Sequence, residues 1–221
     1  RTVGGALQII QENSYHQRRK LSILFVNCIF WGNEGSEGGA TYLEEINRIH
    51  ILNCTFVNNL AFKTGAAFYI ANFHDVFYYN CFLVNNSISA LEIVNGDKMQ
   101  VENCTFRSNT AYSGAAIFVE DCKMVHVEQT YFLFNAASES GGGLCAEYCK
   151  TVQLMRTHFV NNSAQGSGAG INTEECNFVL VQRSYFLYNS GLHSVVNTKY
   201  YGHVDCYDII FIGNDISSLA L

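Results

Sequence analysis

Asn53-Cys54-Thr55-Phe56-Val57-Asn58-Asn59 is the stretch against which the rest of the chain aligns. Its Phe-x-x-Asn pattern returns as Phe30…Asn33, Phe106…Asn109, Phe132…Asn135, Phe159…Asn162, Phe186…Asn189 and Phe211…Asn214. An eighth copy, Leu83…Asn86, carries Leu in the Phe slot and is placed by the preceding Asn80-Cys81. The steps between copies are 26, 27, 23, 26, 27, 27 and 25 residues. A period of that length marks a solenoid, one continuous core that grows along an axis.

Aligned on the Phe slot, the chain resolves into columns. Seven places earlier stand Ile23, Ile49, Val76, Met99, Val125, Val152, Val179 and Val204; five earlier stand Phe25, Ile51, Tyr78, Val101, Val127, Leu154, Val181 and Cys206. Apolar and β-branched residues two apart are the signature of a strand with one buried face. A Gly-rich element lies eighteen places before the slot: Gly38-Gly39-Ala40, Gly65-Ala66-Ala67, Gly114-Ala115-Ala116, Gly141-Gly142-Gly143 and Gly168-Ala169-Gly170. Ile88-Ser89-Ala90 and His193-Ser194-Val195 replace it in two turns, where regular bends are in doubt. The predicted fold is all-β: a single-stranded right-handed parallel β-helix of about eight turns of 23–27 residues. Its expected length is roughly 38 Å at the spacing of paired strands. It reads as one domain over 1–221, an uncapped excerpt of a longer chain, with a polar loop inserted at about 11–20.

Composition agrees. The chain has 221 residues, 48% hydrophobic, and no proline, which would break the strand ladders. A net charge of −6 argues against nucleic acid, which wants clustered Lys and Arg. No apolar run is long enough to span a membrane. The Phe column is expected to fill the interior, and the Asn three places later to sit at a left-handed bend and form an amide ladder. Cys28, Cys54, Cys81 and Cys104 share one inward slot with Thr130, Thr157 and Ser184, read as small, nearly apolar and buried. Cys122, Cys149 and Cys176 form a second column near a bend, where disulfides between turns are sterically allowed. The cysteines lack zinc-site spacing, and neither metal nor cofactor is expected.

The pairing of Gly-Gly-Ala-(Ile/Leu) with Phe-x-x-Asn resembles the repeat of chlamydial polymorphic membrane proteins, with similar repeats in surface proteins of some protists. The matching residues include Gly38-Gly39-Ala40 with Phe56…Asn59, Gly114-Ala115-Ala116-Ile117 with Phe132…Asn135, and Gly168-Ala169-Gly170-Ile171 with Phe186…Asn189. The resemblance implies a pectin-lyase-like β-helix exposed at a cell surface and used in adhesion. This segment shows no pattern of a membrane barrel, so no autotransport is inferred from it.

Function must come from the outer columns. By alternation, the residues flanking the Phe slot point outward: Phe82, Tyr131, His158 and Tyr185 before it, and Trp31, Val57, Val84, Leu133, Val160 and Leu187 after it. So apolar a face predicts a cover, another protein chain or a neighbouring rod. The expected role is a non-catalytic extracellular or cell-surface scaffold or adhesion module, with glycans as further partners. The alternative is a polysaccharide-binding or polysaccharide-cleaving enzyme. Its best residues are Glu102 and Glu128, one turn apart, with Gln100 and His126 beside them. An acidic column of Glu120, Glu147 and Glu174 could bind Ca²⁺ or simply be solvated with help from Lys123 and Lys150. Four sequons begin at Asn53, Asn85, Asn103 and Asn161; Asn85 and Asn161, near a bend, are the favoured glycosylation sites.

Overall fold

A computed structural model describes residues 5–11, 21–199 and 202–216; the expected loop at 11–20 lies almost wholly outside them. The described residues form strands and bends with no helix. Every strand pairs in parallel with its counterpart one repeat away, so the chain is a parallel β-solenoid. Eight Phe-slot strands, from Ile29–Trp31 to Ile210–Ile212, form one sheet and are separated by seven one-turn steps. A larger sheet collects the two strands that precede the slot in each turn. In three turns those two strands run together as 12-residue strands: Phe68–Tyr79, Leu91–Glu102 and Ile117–Glu128. The third face is made of short strands such as Ala136–Ala137 and Ser163–Ala164. Bridges from Leu60 through Ser87 to Thr110 carry it across the shortest turn.

The registers are those the columns require. Ile49, Val76, Met99, Val125, Val152 and Val179 are successive partners, and all are buried. Phe106, Phe132, Phe159 and Phe186 are fully buried and stack face to face, with centroids 5.3, 4.5 and 4.9 Å apart. Each such ring contributes about 1.5–3 kcal/mol by leaving water. Leu83 interrupts the column, and its own turn brings two other rings into the core. Phe68 and Tyr78, both fully buried there, meet edge to face at 5.7 Å, and Phe68 lies 4.7 Å from Phe56.

Most turns bend four times through the left-handed region. In the turn of Phe132 those residues are Gly114, Asp121, Gln129 and Phe134. This corrects the expectation for the repeat Asn: the residue before it takes the left-handed φ, as Asn58, Asn85, Ser108 and Asn161 show. The repeat Asn itself is freed to point inward. Asn109 is typical: its Nδ2 donates to Asn135 Oδ1 (3.0 Å) and Leu83 O (2.9 Å), and its Oδ1 accepts from the Asn86 backbone N–H (2.9 Å). The ladder runs unbroken from Asn33 to Asn214.

Gly114 shows what the first bend demands. Its φ is +60°, and a Cβ there would lie 2.5 Å from Ile117 O. Ile88 occupies the same bend at φ +74°, so the turn without glycine keeps its corner at the cost of strain. His193 is not left-handed, and there the corner is of another kind.

The cysteine slot is polar in a way its composition hid. Thr130 Oγ1 donates to Glu128 O (2.8 Å) and accepts from the Cys104 N–H (3.4 Å). Cys54 repeats this, its thiol directed at Leu52 O (3.2 Å) and its sulfur accepting from the Cys28 N–H (3.4 Å). The slot therefore selects a small side chain that both donates and accepts, which Cys, Thr and Ser share. All nine cysteines are free, and Cys122, Cys149 and Cys176 form no disulfide.

Candidate functional site

The Phe-slot strands are three residues long, so one side chain enters the core and its two neighbours face out. Both flanking columns do lie on the outside. Ile29, Trp31, Phe82, Tyr131, Tyr185, Ile210 and Ile212 are exposed, and Val57, Val84, Leu133, His158, Val160 and Leu187 are half-buried against their neighbours. Trp31 leaves 72% of its surface open. Tyr131, His158 and Tyr185 stack as an external ladder, with centroids 4.7 and 4.8 Å apart. Partial burial in that stack lowers the pKa of His158 and favours its neutral form. Arg107 is the one formal charge in these columns, and it leans over the Phe134 ring at 5.8 Å.

A polar cluster lies on the outer face of the larger sheet. Gln100 pairs with His126 and Glu102 with Glu128 across adjacent strands, and alternation turns all four outward together. His126 Nε2 stands 3.3 Å from Glu128 Oε2, and Arg156 forms an ion pair with Glu128 Oε1. The sequence columns found the two glutamates, His126 and Gln100. They missed Arg156, which reaches in from a left-handed corner one turn on, at φ +53°. The glutamates are thus brought together as expected, but on a sheet face. Two cavities lie elsewhere, one along the short strands from Thr110 to Leu192 and one near Phe211.

The acidic column is in register, Glu120 on Glu147 on Glu174. Its counter-charges are not those expected: Lys123 pairs with Asp97 at 2.5 Å, and Lys199 approaches Glu174 at 3.9 Å. Burial, reinforced by the neighbouring glutamates, raises the pKa of Glu147. Glu92 lies beside this column. Burial lifts its pKa to about 7, against the opposing bond from the Gly65 N–H (2.9 Å). Next to it, Asn197, Asn172 and Cys145 form a chain that ends on Glu147 Oε1, and burial holds the Cys145 thiol protonated.

No family model matches the chain. No solved structure matches it. Over 117 residues, 52% of the chain, it is 30% identical to the metabotropic glutamate receptor-like protein R of Dictyostelium discoideum. The matched stretch is 7% of that protein's length.

The four sequon asparagines all occupy exposed left-handed corners. Their amides differ. Asn53 Oδ1 accepts from Asn80 Nδ2 (2.9 Å), and Asn103 Nδ2 donates to Asn80 Oδ1 (3.3 Å). Asn85 and Asn161 have no side-chain partner among the described residues; of their sequon serines, Ser163 opens a short strand of the third face and Ser87 forms an isolated bridge there.

Proposed function

We propose that this chain is a segment of an extracellular or cell-surface β-solenoid that serves as a non-catalytic scaffold or adhesion module, and that it packs against a neighbouring rod through the Phe-slot face. The observation that carries this reading is the outer surface of that sheet. Aromatic and aliphatic side chains run its whole length, with Arg107 the single charge. Contiguous apolar surface beyond a few hundred Å² is rare on chains that stay alone in water. The receptor-like name of the Dictyostelium protein supports a surface location. The paired Gly-Gly-Ala and Phe-x-x-Asn elements support the finer reading, an adhesive repeat of the polymorphic membrane protein type in a pectin-lyase-like coil. Seven of the nine free thiols are buried, which shields them from solvent oxidants.

Sedimentation across a concentration series tests the reading, comparing the wild-type chain with a Leu133→Lys/Val160→Lys/Leu187→Lys variant. These side chains face outward, so the variant should keep the wild-type far-UV spectrum, with a lowered melting temperature because they are half-buried register partners and the lysines repel one another. Reversible association by the wild type and none by the variant is the expected result. A wild type that stays monomeric throughout, or a variant that associates equally well, overturns it.

A further inference from the structure

We propose that Glu102, His126 and Glu128 form a binding site for one divalent transition-metal ion, Zn²⁺ or a close relative, that clips two adjacent turns together. The donor atoms of the three side chains all lie within 4.8 Å of one another. They sit on two paired 12-residue strands, so the rigid sheet sets their positions. His126 and Glu128 share one strand and one face, and Glu102 stands beside Glu128 in register. Two ligands about 2.0–2.1 Å from one tetrahedral zinc stand about 3.3 Å apart. His126 Nε2 and Glu128 Oε2 are already 3.3 Å apart. Glu102, with a carboxylate oxygen within 4.8 Å of the other two donors, would supply the third ligand, and water would complete the shell.

The chemistry of the donors selects the ion. One imidazole and two carboxylates suit Zn²⁺ and its neighbours; the imidazole disfavours Ca²⁺, and the absence of thiolate disfavours Cu(I). The site is also short of positive charge. Arg156 compensates Glu128 through Oε1, leaving Oε2 turned toward His126. The Glu102 carboxylate has no hydrogen-bond or ion-pair partner among the described residues. His126 and Glu128 keep only 16% and 19% of their side-chain surface, so a bound ion would be partly shielded. The ligands come from positions 102, 126 and 128, one period apart, so no local zinc-site spacing advertises them.

Titration of the apo protein with Zn²⁺ by calorimetry, and with Co²⁺ by visible absorption, tests the proposal. One ion per chain is expected, with a Co²⁺ spectrum lacking thiolate charge transfer. Glu102→Gln and His126→Ala should each weaken binding about tenfold or more. Glu120→Gln in the separate acidic column should leave it unchanged. All three positions face outward, and far-UV spectra confirm that the variants fold. Absence of Zn²⁺ binding by the wild type overturns the proposal. So does binding that survives both His126→Ala and Glu102→Gln, or a thiolate band in the Co²⁺ spectrum, which would place the metal in the cysteine columns.

Discussion

Asn109 shows how much one residue of this repeat does. Its amide joins three turns: it accepts from Asn86 on one side, donates to Asn135 on the other and caps Leu83 O within the coil. Asn109→Asp keeps the shape but removes both donors and places a buried negative charge against Asn135 Oδ1. Each orphaned buried group costs about 1–3 kcal/mol. The variant should lose at least about 3 kcal/mol in urea unfolding, with Asn161→Asp at an exposed corner close to neutral as its control. Glu92 carries the opposite kind of strain, a carboxyl held near pKa 7 chiefly by burial. Below its ordinary value of 4.5 the group is protonated folded and unfolded alike. Between 4.5 and about 7 the unfolded chain releases the proton while the folded chain keeps it, so stability falls as pH rises through that window. Glu92→Gln can still accept from Gly65. It should match the wild type near pH 4 and be more stable above pH 7, as paired thermal melts across that range will show.

A single turn is the level at which the sequence was easiest to read. Period-2 columns named the inward residues because alternation is set by backbone geometry alone. The Phe ladder, the acidic column and the glutamate pair all followed from alignment on one slot. What stayed hidden depends on contacts between different columns. Arg156 reaching Glu128, Lys199 rather than Lys123 beside the acidic column, and the two-way hydrogen bonding of the cysteine slot each join residues at different offsets. Alignment alone places the left-handed φ one residue late because Asn occupies both positions in three copies, Asn58-Asn59, Asn85-Asn86 and Asn161-Asn162. Leu83 is the most instructive departure. It reads as a defect in the Phe column, yet Phe68 and Tyr78 occupy the space of its turn. Restoring the repeat with Leu83→Phe should therefore overpack the coil and destabilise by about 1–3 kcal/mol. Chemical denaturation measures this directly, and a gain in stability would show that the space beside Leu83 is not refilled.

Along the whole molecule, each turn touches only its neighbours, so stability is a sum of local terms and the interior turns are supported from both sides. Phe186 is fully buried, whereas Phe211, in the last described turn, is 55% exposed. In this segment taken by itself, where no described turn covers Phe211, opening should therefore begin near that turn and travel inward. The cysteines report on it without any added label, since they are spread through the coil and none is cross-linked. Cys206 is exposed and Cys28 half-buried, while Cys54, Cys81, Cys104, Cys122, Cys145, Cys149 and Cys176 are buried. Burial pushes the pKa of Cys54 up to about 11, and Cys149, through its bond to Cys122 and then burial, to about 12, so neither presents a thiolate until its turn opens. Timed alkylation read by peptide mass should modify Cys206 first and Cys28 second. Of the buried thiols, Cys176 should react before Cys104, which is farther from the exposed turn. Simultaneous reaction of all seven buried thiols would instead mean that the coil opens as one cooperative unit, and the neighbour-by-neighbour account of its stability would fail.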